Sequence, residues 1–320
     1  MNSATGTVVW QSFHGDYERI AALIGRSWAE NKEQSLEYTA DFLSACFAYP
    51  GATPELAPTL YSGEPQAFVA GFPRKVRFLG RECRFVLLTF FTVAPELKGK
   101  GVGVRLWAEA LHRARAAGFD GAFYYCVDGN RSNQATAAGV RAAGFQPLAL
   151  GTLPYFMRAL RRADSVRADV ENAPALLQEL AAGLPETVSL ARQWTRLEAE
   201  WQCFRRSGAV CVTEDMDAVL TGYVMKVADK HRTPCLIIED LLWDKLSQER
   251  RVALMIKLLE QGAAKGAQIA IAPQLGYTSM EPLQAAGFRR SPRLLNVYAT
   301  LWRESPGSFN GQTPIYMDVL

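Results

Sequence analysis

Two hydrophobic periods alternate along this chain of 320 residues. The segments Phe85–Val93 and Ala122–Val127 are short, almost continuously apolar and rich in aromatic and β-branched residues, the pattern of buried strands. Val102–Ala117, between them, carries apolar residues at helical spacing and predicts an amphipathic helix. The same reading predicts helices at Tyr17–Ala29, Tyr38–Ala48 and Asn133–Ala143. Further strands are predicted near Thr7–Gln11, Thr59–Tyr61, Ala67–Phe72, Gln146–Leu150 and Tyr155–Ala159. In the second half, strands are predicted at Val166–Val170, Ala209–Thr213, Ala218–Val227, Cys235–Leu242 and Gln268–Ala272, followed by two closing strands. Helices are expected at Gln248–Ala264 and Met280–Ala286. Leu190–Phe204 sets Trp194, Leu197, Trp201 and Phe204 on one helical face, a spacing that fits a core stripe better than a ligand platform.

The junction between strand Phe85–Val93 and its helix is the richest in chemistry. Gly99, Gly101 and Gly103 alternate there, with Lys98 and Lys100 among them. A glycine-rich strand-to-helix turn lets backbone N–H groups converge on an anion, and the helix N-terminus adds partial positive charge. The spacing excludes two familiar phosphate loops. No Gly-x-x-x-x-Gly-Lys-Ser/Thr string occurs, and the dinucleotide fingerprint needs Gly-x-Gly-x-x-Gly. The alternative is a glycine turn that binds nothing.

The chain also repeats itself. Ala67–Val76 parallels Ala218–Val227, Ala142–Phe145 parallels Ala285–Phe288, and Pro154–Leu160 parallels Pro314–Leu320, in the same order in both halves. A boundary is expected at the charged run Arg161–Asp164, giving domains 1–162 and 163–320. At the matching junction of the second half, Asp240–Arg251 contains no glycine, so that copy is expected to have lost the cradle. Glu239 and Asp240 near it are either solvated strand ends or a meeting point for a cationic amine.

Val93-Ala-Pro95 followed by Lys98-Gly99-Lys100-Gly101-Val102-Gly103 resembles the coenzyme A loop of the GCN5-related N-acetyltransferases (GNATs), with Lys98 where Gln or Arg is usual. Asn133 and the pair Gly144-Phe145 fall where that family has an Asn on the cofactor's pantetheine arm and a closing Gly-Phe. Asn133 also suits a helix cap, as does Ser132. The resemblance implies an α/β (α+β) fold of two tandem GNAT-like domains, each a mixed, centrally splayed sheet flanked by helices, the second degenerate. It implies an N-acetyltransferase in which acetyl-CoA, or another acyl-CoA, is co-substrate and the acyl group passes directly to the amine of a small molecule. Phe91, Thr92, Val93, Lys98, Gly99, Lys100, Gly101, Val102, Gly103 and Asn133 are the cofactor residues it implies. The family's usual Tyr acid position is Val140 here, and strand Phe85–Val93 has no carboxylate. Tyr124, Tyr125 and Asp128 are the catalytic candidates, with Tyr155 as a further donor and core or turn roles as the alternatives. Tyr124 and Tyr125 point to opposite faces of their strand, so only one faces the site. The rim of the acceptor site is expected at Trp28, Tyr38, Phe42 and Tyr49. Two other functions stay open: a non-catalytic acyl-CoA-binding regulator, and a transferase of longer acyl chains.

Composition narrows the partners. A formal net charge of +3 does not suggest nucleic acid. The first 163 residues hold 18 Lys/Arg and 13 Asp/Glu, the rest 17 and 19, so the half with the cradle is the more basic. Six scattered cysteines and three scattered histidines form no metal pattern, so no metal is expected. With no leader-like start and no long apolar run, the reading is a cytoplasmic monomer or homodimer without a membrane partner.

Overall fold

The computed structural model describes residues 9–28, 35–129, 132–161, 170–228, 232–303 and 314–318. The first half runs β1 (Gln11–Ser12), α1 (Tyr17–Trp28), β2 (Ser35–Leu36), α2 (Ala40–Phe47), β3 (Pro58–Ser62), β4 (Glu64–Phe78), β5 (Arg81–Val93), α3 (Val102–Ala116), β6 (Gly121–Val127), α4 (Ser132–Ala142) and β7 (Leu148–Ala159). The second runs α5 (Ala173–Ala182), β8 (Leu190–Gln193), α6 (Arg196–Glu200), β9 (Ala209–Glu214), β10 (Ala218–Ala228), β11 (Pro234–Leu242), α7 (Gln248–Ala264), β12 (Ile269–Pro273), α8 (Glu281–Ala285), β13 (Arg289–Leu301) and β14 (Ile315–Tyr316).

One mixed sheet carries both halves, in the order β1-β3-β4-β5-β6-β13-β7-β12-β11-β10-β2, with β9 also on β10, β8 on β4 and β14 on β8. β4, β5 and β6 on one side mirror β10, β11 and β12 on the other. In each trio the first pair is antiparallel and the second parallel. The centre is exchanged. β13, from the second half, pairs with β6, while β7, from the first, pairs with β12. β7 and β13 pair with each other between them. Each half thus borrows its closing strand from the other.

Local chemistry explains the long β4–β5 hairpin. Leu79 and Gly80 form a two-residue turn with φ of 49° and 77°. Two positive φ values give the turn whose twist matches that of the flanking strands. α3 and α4 cover one face of the first trio, over Val86, Leu88, Ala122 and Tyr124. α1 and α2 cover the other, over Phe68, Phe72 and Phe90. The largest core belongs to the second half, yet Phe85, Leu87 and Phe123 of the first reach into it.

Several expectations change. The strands expected at Gln146–Leu150 and Tyr155–Ala159 are one strand, β7. Leu190–Phe204 is not one helix. β8 is followed by α6 and a π-helical turn at Trp201–Arg205, because Leu190–Gln193 pairs with β4. Its aromatic stripe splits accordingly: Trp194 and Trp201 are buried, whereas Leu197 and Phe204 are 61% and 46% exposed. The third repeat pairing fails, since the topological partner of β7 is β13 and Pro314–Tyr316 leads into the separate strand β14. Helix α5 is an addition to the predicted elements. Thr7, Val166 and the proposed boundary at residues 162–164 lie outside the described residues.

Candidate functional site

A wedge opens between β5 and β6. The two strands pair in parallel from Phe85 with Gly121 to Leu88 with Tyr124 and no further. The cause is a bulge: the β4–β5 register shifts between Phe68 and Ala70, and Phe90 takes a φ of 58°. The Thr92 hydroxyl donates to the Phe90 carbonyl at 2.9 Å, fixing the bulge. A bulge bends its strand and strengthens the twist, which here turns Thr89–Val93 away from Tyr125–Val127.

The glycine loop stands at the mouth of this wedge. Gly99 and Gly101 have φ of 77° and 75°, and Gly101 is the N-cap of α3. A Cβ added at either would meet no atom within 4 Å, so backbone conformation demands glycine and the space outside the loop is clear. The Arg105 N–H bonds the Gly101 carbonyl at 3.2 Å, leaving the N–H groups of Val102, Gly103 and Val104 ahead of the first intrahelical bond. Gly103 serves packing instead: a Cβ there would lie 3.0 Å from Phe91 Cζ and 3.5 Å from Val93 Cγ2. Lys98 bends back, its Nζ donating to the Ser27 carbonyl at 2.7 Å, while Ser27 Oγ donates to the Val93 carbonyl at 2.8 Å. The end of α1 is thereby tied to the loop. Lys100 is exposed.

On the α3–α4 side of the wedge, aromatic rings form a chain. Phe91 meets Trp107 edge-on at 5.3 Å, Trp107 meets Tyr124 at 5.0 Å, and Tyr124 stacks on Tyr298 of the borrowed strand at 5.6 Å. Asn133 reaches this side from α4, its Nδ2 donating to the Val127 carbonyl at 3.1 Å. Asn133 Oδ1 and Trp107 Nε1 are buried without partners, and the Tyr124 hydroxyl neighbours Thr300. Buried polar atoms ordinarily find partners, so the unmet pair beside a wedge is a site-like feature. Val140 is wholly buried in α4.

The other candidates lie elsewhere. Tyr125 points to the opposite face, where its hydroxyl donates to the Asp318 carbonyl at 2.9 Å, and burial raises it well above the usual tyrosine range. Asp128 is exposed at the end of β6, accepting from Asn296 Nδ2 at 3.0 Å, an anchor for β13. Tyr38, Phe42 and Tyr49, expected at an open rim, are buried among the α1–α2 side chains, and Trp28 packs edge-on against Tyr38. The wedge therefore gathers Phe91–Val93, Gly99–Gly103, Tyr124 and Asn133. Lys98 adjoins it through α1, Asp128 sits at its rim, and Tyr125 lies behind it.

A buried ionic net behind the wedge was not foreseen from sequence. Arg74 Nε meets Asp318 at 3.0 and 3.1 Å, and Arg192 pairs with Asp318 at 2.6 Å. Arg192 also donates to the Tyr49 hydroxyl at 2.9 Å, and Tyr49 to Glu198. Arg206 pairs with Glu239. Burial alone would raise the Asp318 carboxyl, but Arg192 and Arg74 overcome it and hold it down at about 2. The sequence signals were charged residues inside apolar strand-like segments, at Arg74, Glu239, Asp240 and Asp318.

The second half keeps a wedge and fills it. β11 and β12 pair only from Cys235 with Ile269 to Ile237 with Ile271, and β11 bulges between Thr221/Asp240 and Gly222/Ile238. There the Tyr277 hydroxyl accepts the Leu241 N–H at 2.9 Å. Ser247 caps α7, and Arg251 donates to the carbonyls of Trp243, Asp244 and Leu246 at 3.1, 2.7 and 2.9 Å.

Residues 17–145 match the profile described as the acetyltransferase (GNAT) family. No curated protein sequence matches the chain. Among solved structures, N-myristoyltransferase of Saccharomyces cerevisiae with bound myristoyl-CoA is similar at a TM-score of 0.77 and 13% identity, covering 98% of this chain and 89% of that one. A putative acetyltransferase from Pyrococcus horikoshii is similar at 0.61 and 12%, covering 98% and 97%. A GCN5-related N-acetyltransferase from Kribbella flavida is similar at 0.51 and 17%, covering 94% and 72%. At such identities the structural likeness carries the fold alone. Among the described residues, no side-chain group is placed to hold a metal ion and no helix is long and apolar enough to cross a membrane. The match to the acetyltransferase (GNAT) family thus covers residues 17–145, while the fold shared with these acyltransferase structures runs along nearly the whole chain.

Proposed function

We propose that the wedge between β5 and β6 binds acetyl-CoA and that the chain transfers its acetyl group directly to the amine of a small molecule. The open backbone of Gly99–Val104 beside the unpaired ends of β5 and β6 is the observation that carries this reading. The pyrophosphate would rest on the N–H groups at the start of α3. The pantetheine arm would lie along Phe91–Val93 as an added strand, and one of its amide N–H groups would satisfy Asn133 Oδ1. The amine nitrogen attacks the thioester carbon, the C–N bond forms, and the C–S bond breaks with its electron pair leaving on sulfur. A thiol of pKa near 8.5 can leave as thiolate without an acid, at a modest rate penalty. Tyr124 is the better placed tyrosine to hydrogen-bond that sulfur, because its ring belongs to the aromatic chain with Phe91 and Trp107 whereas Tyr125 is engaged by Asp318. Asp128, at the rim, would take the amine's proton through water.

The packing supports a short acyl group. Beyond the bulge, Phe90 meets Tyr38, Phe72 and Phe42 at 5.1, 6.0 and 6.5 Å, filling the region a long chain would need. Domains 1–162 and 163–320, joined by exchanged strands, remain our division of the chain. The free cysteines suit a reducing, cytoplasmic setting. A non-catalytic acyl-CoA-binding role is the second reading, favoured by Val140 at the usual acid position.

Free-thiol release from acetyl-CoA with a panel of small amines separates the two. Release above hydrolysis is expected for at least one amine. Calorimetry with Gly101→Glu should show acetyl-CoA affinity lowered by about a hundredfold or more, since a carboxylate would face the pyrophosphate. Placing a side chain at that φ costs only about 1–2 kcal/mol, so the protein stays folded. Undiminished binding would refute the cradle.

A further inference from the structure

The carboxylates weighed for a cationic partner are already engaged. Glu239 is buried against Arg206, and Asp240 is buried and accepts from the Tyr316 hydroxyl at 2.6 Å. Neither is a solvated strand end. Two unmet charges of the opposite sign stand at the seam between the halves. Arg289 and Arg290 open β13, both are exposed, and among the described residues no carboxylate pairs with either. Arg158 of β7, close by, is engaged: its Nη1 donates to the Ala286 carbonyl at the end of α8.

The two arginines border a cleft of about 570 Å³. Ordinary small-molecule sites span roughly 300–1,000 Å³. The strand register breaks beside it. β13 pairs with β7 at Arg289 with Met157 and Arg290 with Phe156, then resumes only at Leu294 with Pro154. Ser291, Pro292 and Arg293 stand out of the ladder between these points, and a proline there has no N–H to give it. Gln274, whose N–H bonds the Pro154 carbonyl at 2.9 Å, lines the cleft from the end of β12, and Gln284 lines it from α8. Phe156, Met280 and Phe288, all buried, supply the apolar lining. No carboxylate lines it.

This lining selects one kind of ligand. A guanidinium fork meets a carboxylate through two parallel N–H donors. Aromatic rings and a thioether favour an aromatic body. A bare phosphate would leave that apolar lining uncovered, and a cation would meet like charge. Cross-strand partners share a face of the sheet, so Arg290 stands beside Phe156, while Arg289 borders the cleft and adds positive potential. The backbone under both arginines is fixed by the ladder, so a ligand need order only their side chains. We propose that this cleft is a second ligand site, for small carboxylates with an aromatic body, the carboxylate on Arg290 and the ring against Phe156, Met280 and Phe288. Phe156 belongs to the first half and the other two to the second, so an occupant bridges the seam. It also grips β13, whose Leu294 carbonyl accepts the Asp128 N–H at 3.0 Å at the rim of the first wedge. The site is independent of the acyltransferase reading.

The test is calorimetric titration of the full chain with 1-naphthylacetate, with its uncharged counterpart 2-(1-naphthyl)ethanol, and with inorganic phosphate. The acid should bind about tenfold or more tightly than either of the others. Arg290→Gln should lower acid affinity about tenfold, and Arg290→Lys should keep part of it. Gln284→Glu should also lower acid affinity, about threefold or more, by setting a like charge beside the carboxylate, and should leave the alcohol within about twofold. Both positions are exposed, so these variants fold. Saturating coenzyme A should leave acid affinity within about twofold. No binding by the acid, equal affinity for acid and alcohol, or unchanged acid affinity in Arg290→Gln or Gln284→Glu would overturn the proposal. So would displacement of the acid by coenzyme A, which would put the acid on the glycine loop instead.

Discussion

The two wedges share a bulged strand, a short parallel pairing and a helix that follows, yet they differ in what occupies the opening. Between β5 and β6 the loop backbone is bare, and buried polar atoms of Asn133 and Trp107 nearby have no partners. Between β11 and β12 the Tyr277 hydroxyl accepts the Leu241 N–H, and Arg251 consumes the loop carbonyls. A fold supplies the opening, and side chains decide whether a ligand or the protein itself satisfies it. The closed wedge is a self-liganded version of the open one.

Three experiments can break or sharpen this contrast. The largest effect is expected from separating the halves. A chain ending at Arg161 lacks β13, so β6 loses its neighbour, Tyr124 loses Tyr298, and Phe85, Leu87 and Phe123 lose their shared core. It should be unfolded or aggregated by circular dichroism and size-exclusion chromatography. A folded 1–161 fragment that binds acetyl-CoA would end the claim that the two wedges depend on one seam.

Next comes the seam itself. Asp318→Asn removes the charge that faces Arg74 and Arg192 and should destabilise by about 3–5 kcal/mol at neutral pH. The Asp318 carboxyl is held down at about 2. A depressed carboxyl contributes fully above its unfolded value of about 3.9 and loses that contribution as pH falls through the folded one. The gap between parent and variant in urea melts should therefore be constant above about pH 5 and shrink toward pH 2. A gap that does not narrow in acid would contradict the ionic role.

The smallest effect concerns the plug. Tyr277→Phe leaves the buried Leu241 N–H unpaired and should cost about 1–3 kcal/mol in urea melts. It should confer no second acyl-CoA site in calorimetry, because the loop ahead of α7 still holds Arg251 and no glycine. A stoichiometry of two would show that the plug alone distinguishes the wedges.

How much of this could be read from the residues follows from the range of the interactions. The glycines at 99 and 101, the strands flanking the loop and the loss of glycine at Asp240–Arg251 are local features with local signatures, and they were legible. The exchange of β7 and β13 was not, because antiparallel pairing across about 140 residues leaves no periodic mark. It also misled the repeat alignment at Pro154–Leu160. Gly103 reads as a third cradle glycine, yet its constraint comes from Phe91, which only the fold brings near. The ionic net was hidden for a similar reason: its members are scattered from Tyr49 to Asp318, and each alone resembles an ordinary strand or helix residue.

The borrowed strand also sets a schedule. Ribosomes add roughly 5–20 residues per second. β6 ends at Val127 and its neighbour β13 ends at Leu301, 174 residues later. The edge of β6 therefore waits about 9–35 s, in every newly made molecule, before its partner exists. Unpaired edges recruit stray strands. The architecture that gives each half its closing strand from the other also makes birth the hazardous stage of this protein's life.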